Sequence, residues 1–140
     1  MSTRPRVVLD TNVLVSAIRS NRGASFRVLT AVDRGKFEIS LSVPLVLEYE
    51  YAMIKAGKEV KVSKRTVTDI IDYLCHIGRH VDIFYLWRPF LKDPGDDMVL
   101  ELAVADSCDA IVTHNVRDFA GIEDFGLQLW TPQMFLHLIN

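Results

Sequence analysis

Apolar positions along this chain fall into short continuous runs separated by longer amphipathic stretches, the pattern of strands buried on both faces and helices packed on one side. Val7-Val8-Leu9 forms the first run, so residues 6–10 read as a strand that stops at a polar Asp10-Thr11-Asn12 turn. Helical segments follow through Arg34, where Gly35 is a natural stop. Phe37 to Leu41 alternates as a second strand, and Ser42-Val43-Pro44 opens a helix with proline in its first turn, predicted to end near Gly57. After a charged connection, Ser63 caps a helix to about Ile77, with Gly78 as its stop. A short strand is predicted over residues 80–86. The turn Lys92 to Asp96 leads into a helix from Asp97 to about Asp106, with Asp96 as its cap. Asp109 to Thr113 reads as a buried strand and Leu127 to Trp130 as the last one. Thr131-Pro132 then starts a terminal helix whose Met134, Phe135, Leu138 and Ile139 are predicted to pack inward.

Strands alternating with helices, without repeats or a long linker, predict a single α/β domain over residues 1–140. Its mainly parallel central sheet should carry helices on both faces. In such a sheet ligands bind at the carboxyl ends of the strands.

A chain of 140 residues that is 49% hydrophobic and 24% charged can fill one core without a staple. Cys75 and Cys108 sit in apolar contexts without metal-like spacing and are expected as reduced, buried thiols, which suits a cytoplasmic protein. No apolar leader core precedes the first strand, and no run of about 18 apolar residues occurs, so neither export nor membrane insertion is expected. The net charge is −2, so a polyanion would have to be drawn by a local patch. Lys55, Lys58, Lys61, Lys64 and Arg65 offer the candidate, although such a run also suits a solvated helix end.

The chemistry lies in acids at strand ends and helix starts. Asp10 and Asn115 both follow apolar strand cores, which would bring them to one sheet edge, and Asp97 joins them if its helix begins there. Carboxylates gathered from distant segments repel unless a cation lies between them. Each acid also has a plain structural role open to it: Asp10 in an Asx turn, Asp97 in the first turn of a helix. Glu48 and Glu50 lie among apolar residues at helical spacing, and spacing does not choose between them. Hard oxygen donors favour Mg²⁺ or Mn²⁺ over zinc, and His76, His80, His114 and His137 show no paired ligand spacing.

These segments resemble the PIN-domain family, particularly its small prokaryotic, VapC-like toxins of toxin–antitoxin systems. Leu9-Asp10-Thr11-Asn12-Val13-Leu14 is similar to the family's opening motif, Ser42-Val-Pro-Leu-Val-Leu-Glu48 to the second, and Asp96-Asp97-Met-Val-Leu-Glu101-Leu-Ala103 to the third. The resemblance implies a metal-dependent ribonuclease, with Asp10, Glu48 and Asp97 as catalytic metal ligands, and it selects Glu48 over Glu50. The fourth motif departs from the commonest pattern: Thr113-His114-Asn115 has an amide where an Asp is usual, and Asp118 could supply the missing charge. Thr11, Asn12, Thr113 and Asn115 become candidates to bind the scissile phosphate or to orient ligands. The resemblance further implies an RNA substrate, a small cognate antitoxin, a homodimer and no membrane. Arg19, Arg22 and the cluster from Lys55 to Arg65 are candidates to guide the RNA backbone.

The amide at Asn115 keeps open a noncatalytic PIN-like module that binds RNA or a partner. A haloacid-dehalogenase-like phosphatase is disfavoured because Asn12 stands where that pattern has an Asp. A receiver domain is disfavoured because Thr131-Pro132 stands in place of its late Lys-Pro.

Overall fold

The computed structural model describes residues 4–83 and 90–139. Five parallel strands form one sheet in the order β3-β2-β1-β4-β5. The first is β1 (Arg6–Leu9), followed by α1 (Thr11–Arg19) and α2 (Ala24–Ala31). Next come β2 (Glu38–Leu41), the long α3 (Val43–Val60) and α4 (Lys64–Ile77), then β3 (Arg79–His80). The chain continues through α5 (Pro94–Ala105), β4 (Ala110–Val112), two short 3-10 turns, β5 (Gln128–Trp130) and α6 (Pro132–Ile139).

The chain lays down β1, β2 and β3 outward in one direction and then returns to place β4 on the other side of β1. That reversal between β1 and β4 opens a crevice at their carboxyl ends, where Asp10 and Thr113 follow the two strands. Val7, Val8, Leu9, Ala110, Ile111 and Val112 are all buried, as expected for central strands covered on both faces.

Four predicted features are placed differently. The 80–86 strand is reduced to Arg79–His80, and residues 84–86 lie outside the described residues. The third helix runs through Gly57 to Val60, ending on a left-handed Lys61. Gly57 serves close approach rather than termination: a Cβ there would meet the Val62 carbonyl at 2.9 Å, where the chain folds back over the helix. The fifth helix starts at Pro94, three positions before the predicted Asp97, because Asp93 caps it and Pro takes the first turn. In α6, Phe135 and Ile139 are buried, but Met134 and Leu138 are exposed, so one helical face packs inward instead of two.

Cys108 is buried, Cys75 is half-buried, and both are free thiols. Among the described residues no helix is long and apolar enough to cross a membrane.

Candidate metal centre at the carboxyl edge of the sheet

Asp10 is the N-cap of α1: its Oδ1 accepts from the Thr11 amide at 2.8 Å, and its own amide donates to the Val112 carbonyl of the neighbouring strand at 2.9 Å. Oδ2 accepts from the Thr113 hydroxyl at 2.8 Å. Thr113 is fully buried, and its oxygen also accepts from the Asn12 side-chain amide at 3.3 Å and the Asn115 backbone at 3.0 Å. One hydroxyl therefore joins the ends of β1 and β4 to the loop that follows. The Asn12 carbonyl oxygen in turn accepts from the His114 amide at 3.3 Å.

Glu48 reaches the same edge from the second turn of α3, where its Oε2 accepts from the Thr11 hydroxyl. Tyr49, buried beside it, donates its hydroxyl to the Leu9 carbonyl and so fixes the helix against the end of β1. Burial first, and then the charges of Asp10 and Glu48, push the Tyr49 phenol well above its ordinary value. Glu48 also approaches the start of α5: a Cβ on Gly95 would lie 3.1 Å from Glu48 Oε1 and 3.2 Å from Asp93 Oδ1. Glycine at position 95 leaves room for that carboxylate.

The acid that α5 brings to this group is Asp96. Its carboxyl is pushed up to about 7, first by burial and then by the charges of Asp10, Asp93, Asp118 and Glu48. One oxygen of Asp97, the residue singled out by motif, is already engaged: its Oδ1 accepts from the amides of Leu91 at 2.8 Å and Phe90 at 3.2 Å, anchoring the segment before the helix. Capping by Asp93 starts the helix earlier, so that Asp96 is a first-turn residue and not the cap. The signal was available in Asp93-Pro94, a cap followed by a first-turn proline.

Asp118 enters from a 3-10 turn (Val116–Phe119) after β4, and its charge is felt by both Asp10 and Asp96. Asp10 is raised from the ordinary carboxylate value chiefly by burial; the bonds from Thr113 and Thr11 work against that rise, and the charges of Glu48 and Asp118 add to it. His114 beside them bonds through Nε2 to Ser25 of α2 at 2.7 Å, and burial lowers its pKa. Buried Ser25, 89 positions away, carried no sequence signal of this contact.

Of the four residues expected near substrate, Thr11, Asn12 and Thr113 thus turn their side chains to Glu48, Thr113, His114 and Asp10. Asn115 contributes its backbone to this network and has an exposed side chain. Arg19 is held by Glu59 at 3.0 Å.

The donors are hard carboxylate oxygens from four separate segments, and the ion pairs of the described residues lie elsewhere, on Glu38, Glu59, Asp69 and Asp106. Such a group fits a divalent cation of the Mg²⁺ or Mn²⁺ type. It is not a closed cage: among the described residues no three His, Cys, Asp or Glu side chains already stand close enough to hold a metal ion.

A doubly covered parallel sheet with carboxylates converging at its switch point defines the class of this protein, an α/β domain with an acidic strand-end site. The PIN domain family model matches residues 6–117, and the chain belongs to that family. Its fold is similar to a chain in the crystal structure of VapBC2 from Rickettsia felis bound to a DNA fragment from their promoter. The TM-score is 0.58 at 18% identity, covering 89% of this chain and 98% of that one. No curated protein matches the chain.

Proposed function

We propose that this PIN-domain protein is a Mg²⁺- or Mn²⁺-dependent endoribonuclease that hydrolyses RNA phosphodiester bonds, acting as the toxin of a type II toxin–antitoxin pair. The observation that carries the reading is the meeting of Asp10, held by the Thr11 amide and the Thr113 hydroxyl, with Glu48, held by the Thr11 hydroxyl, at one sheet edge, because carboxylates brought together there are what a divalent cation relieves. Asp10, Glu48, Asp96 and Asp118 would hold the ion, with Asp97 anchoring the preceding segment. When bound, the cation makes water a stronger acid at neutral pH and offsets charge on the phosphoryl oxygens.

The chain's own residues prepare the site. Thr113 fixes one Asp10 oxygen and the Thr11 amide the other, so the carboxylate does not rotate. The Thr11 hydroxyl holds one oxygen of Glu48, and Asn12 ties the loop carrying Asn115 and Asp118 back to α1. Asp118 supplies the charge that Asn115 lacks. The VapBC2 neighbour supports an antitoxin as partner. A basic side chain of that partner would answer the acids, and the resemblance to small PIN-domain toxins implies a homodimer in the cytoplasm.

The test is cleavage of a labelled single-stranded RNA by the purified protein with Mn²⁺, with EDTA, and by an Asp10→Asn variant. Cleavage that needs the metal and Asp10 supports the reading. No cleavage beyond the EDTA and variant backgrounds overturns it in favour of a noncatalytic module.

A further inference from the structure

Outside the acidic crevice, α3 carries a surface that its packing does not account for. Val43, Leu47 and Tyr51 follow one another at helical spacing, and they are 68%, 61% and 70% exposed. An open hollow of about 420 Å³ runs on along the same face, lined by Leu47, Glu50, Tyr51, Ile54, Lys55 and Lys58. The nearby ion pairs engage Arg19 with Glu59 and Arg65 with Asp69, and no ion pair among the described residues engages Lys55 or Lys58. Glu50 lines the same hollow from its other edge, about 140° around the helix from Lys55.

Helical geometry ties this face to the acids. At 3.6 residues per turn, Lys55 stands almost directly above Glu48, about 10 Å along the axis, with Tyr51 between them and Lys58 one turn beyond. An aromatic ring followed by two cations, in line with a catalytic carboxylate, suits a single strand: a base stacks on the ring while phosphates meet the lysines. In a chain of net charge −2, these cations give a polyanion a local place to settle. A protein partner would use Val43 and Leu47 but would have less use for lysines in line with the acids.

We infer that the exposed face of α3 is the track for the RNA strand flanking the scissile phosphate, with Tyr51 as its base-stacking residue and Lys55 and Lys58 as its phosphate contacts. This rests on the nuclease reading, and binding measured without metal separates the two.

The experiment is fluorescence anisotropy of a short fluorescein-labelled single-stranded RNA of mixed sequence in EDTA, over a salt series, for the parent, Tyr51→Ala, Tyr51→Trp and Lys55→Ala/Lys58→Ala. All three positions lie on the surface, and circular dichroism checks that each variant is folded. Tyr51→Ala should bind roughly tenfold more weakly with the salt slope unchanged, and Tyr51→Trp should restore affinity. The double lysine variant should flatten the salt slope by about 1 to 1.5, the share of two phosphate contacts on a single strand. Binding that follows this pattern, from a parent protein that cleaves no RNA once Mn²⁺ replaces EDTA, upholds the track and overturns the nuclease reading. Unchanged RNA affinity in Tyr51→Ala overturns the track, and if sedimentation velocity then shows a dimer lost in that variant, the face is a contact with a second copy.

Discussion

The hydroxyl of Thr113 donates to Oδ2 of Asp10 across 2.8 Å, joining two strand ends that stand 103 residues apart in the sequence. The same oxygen accepts from Asn12 and Asn115, so it serves three partners in a fully buried position. Thr113→Val keeps the shape and removes the oxygen. It should destabilise the fold by about 1–3 kcal/mol, because a buried carboxylate oxygen loses its donor and two amides lose their acceptor. Urea unfolding of the parent and variant measures this, and equal midpoints would deny the hydroxyl that role.

Gly95→Ala probes the space that Glu48 occupies. The added methyl carbon would sit 3.1 Å from Glu48 Oε1 and 3.2 Å from Asp93 Oδ1, close enough to displace the Glu48 carboxylate by a few tenths of an ångström. Alanine is otherwise the better residue in a helix, by up to about 1 kcal/mol. The variant should therefore melt at or above the parent's temperature while cleaving RNA several-fold more slowly at limiting Mn²⁺. Loss of activity only in step with loss of stability would count against the displacement.

Asp106 supplies a pH test remote from the acidic crevice. Burial alone would raise its carboxyl, but hydrogen bonds from Arg79 at 2.9 and 3.1 Å and from Ser40 at 2.6 Å outweigh it and hold the group below the ordinary carboxylate value of 3.8. An acid depressed in the folded state stabilises above its unfolded pKa, and that stabilisation is lost as pH falls through the folded value. Asp106→Asn should thus lower the urea midpoint at pH 7, with the gap to the parent narrowing below about pH 4. A gap that stays constant into acid would show that charge has no part in it.

The parallel sheet was legible because its central strands are short apolar runs that end at polar turns, as at Leu9-Asp10 and Val112-Thr113. Asp10 and Glu48 were legible because each stands at a fixed offset from a strand end or a helix cap. Asp96 was read as the helix cap and Asp97 as the ligand; two adjacent acids in a helix differ by about 100° of rotation, and the packing of the buried Val99, Leu100, Leu102 and Ala103 sets the phase, which the motif does not carry. Capping by Asp93, followed by Pro94, places both acids inside the first turn of the helix. In α6, Met134-Phe135 and Leu138-Ile139 are equally apolar pairs, and only packing separates the buried members from the exposed ones. Ser25 meeting His114 is a contact between distant segments that neither periodicity nor motif encodes.

Calorimetric titration of Mn²⁺ into the parent, Asp96→Asn and Asp97→Asn proteins, followed by RNA cleavage on the same samples, tests the central claim most directly. Asp96→Asn removes a carboxyl raised to about 7 by burial and by four neighbouring acids, so at pH 8 the metal-free variant should melt above the parent, which also certifies its folding. The same variant should bind Mn²⁺ at least about tenfold more weakly and lose cleavage. Asp97→Asn, whose carboxylate serves the amides of Phe90 and Leu91, should keep the parent's Mn²⁺ affinity. The reverse order, or a parent that binds no Mn²⁺ at millimolar concentration, would contradict a metal centre built on Asp10, Glu48, Asp96 and Asp118.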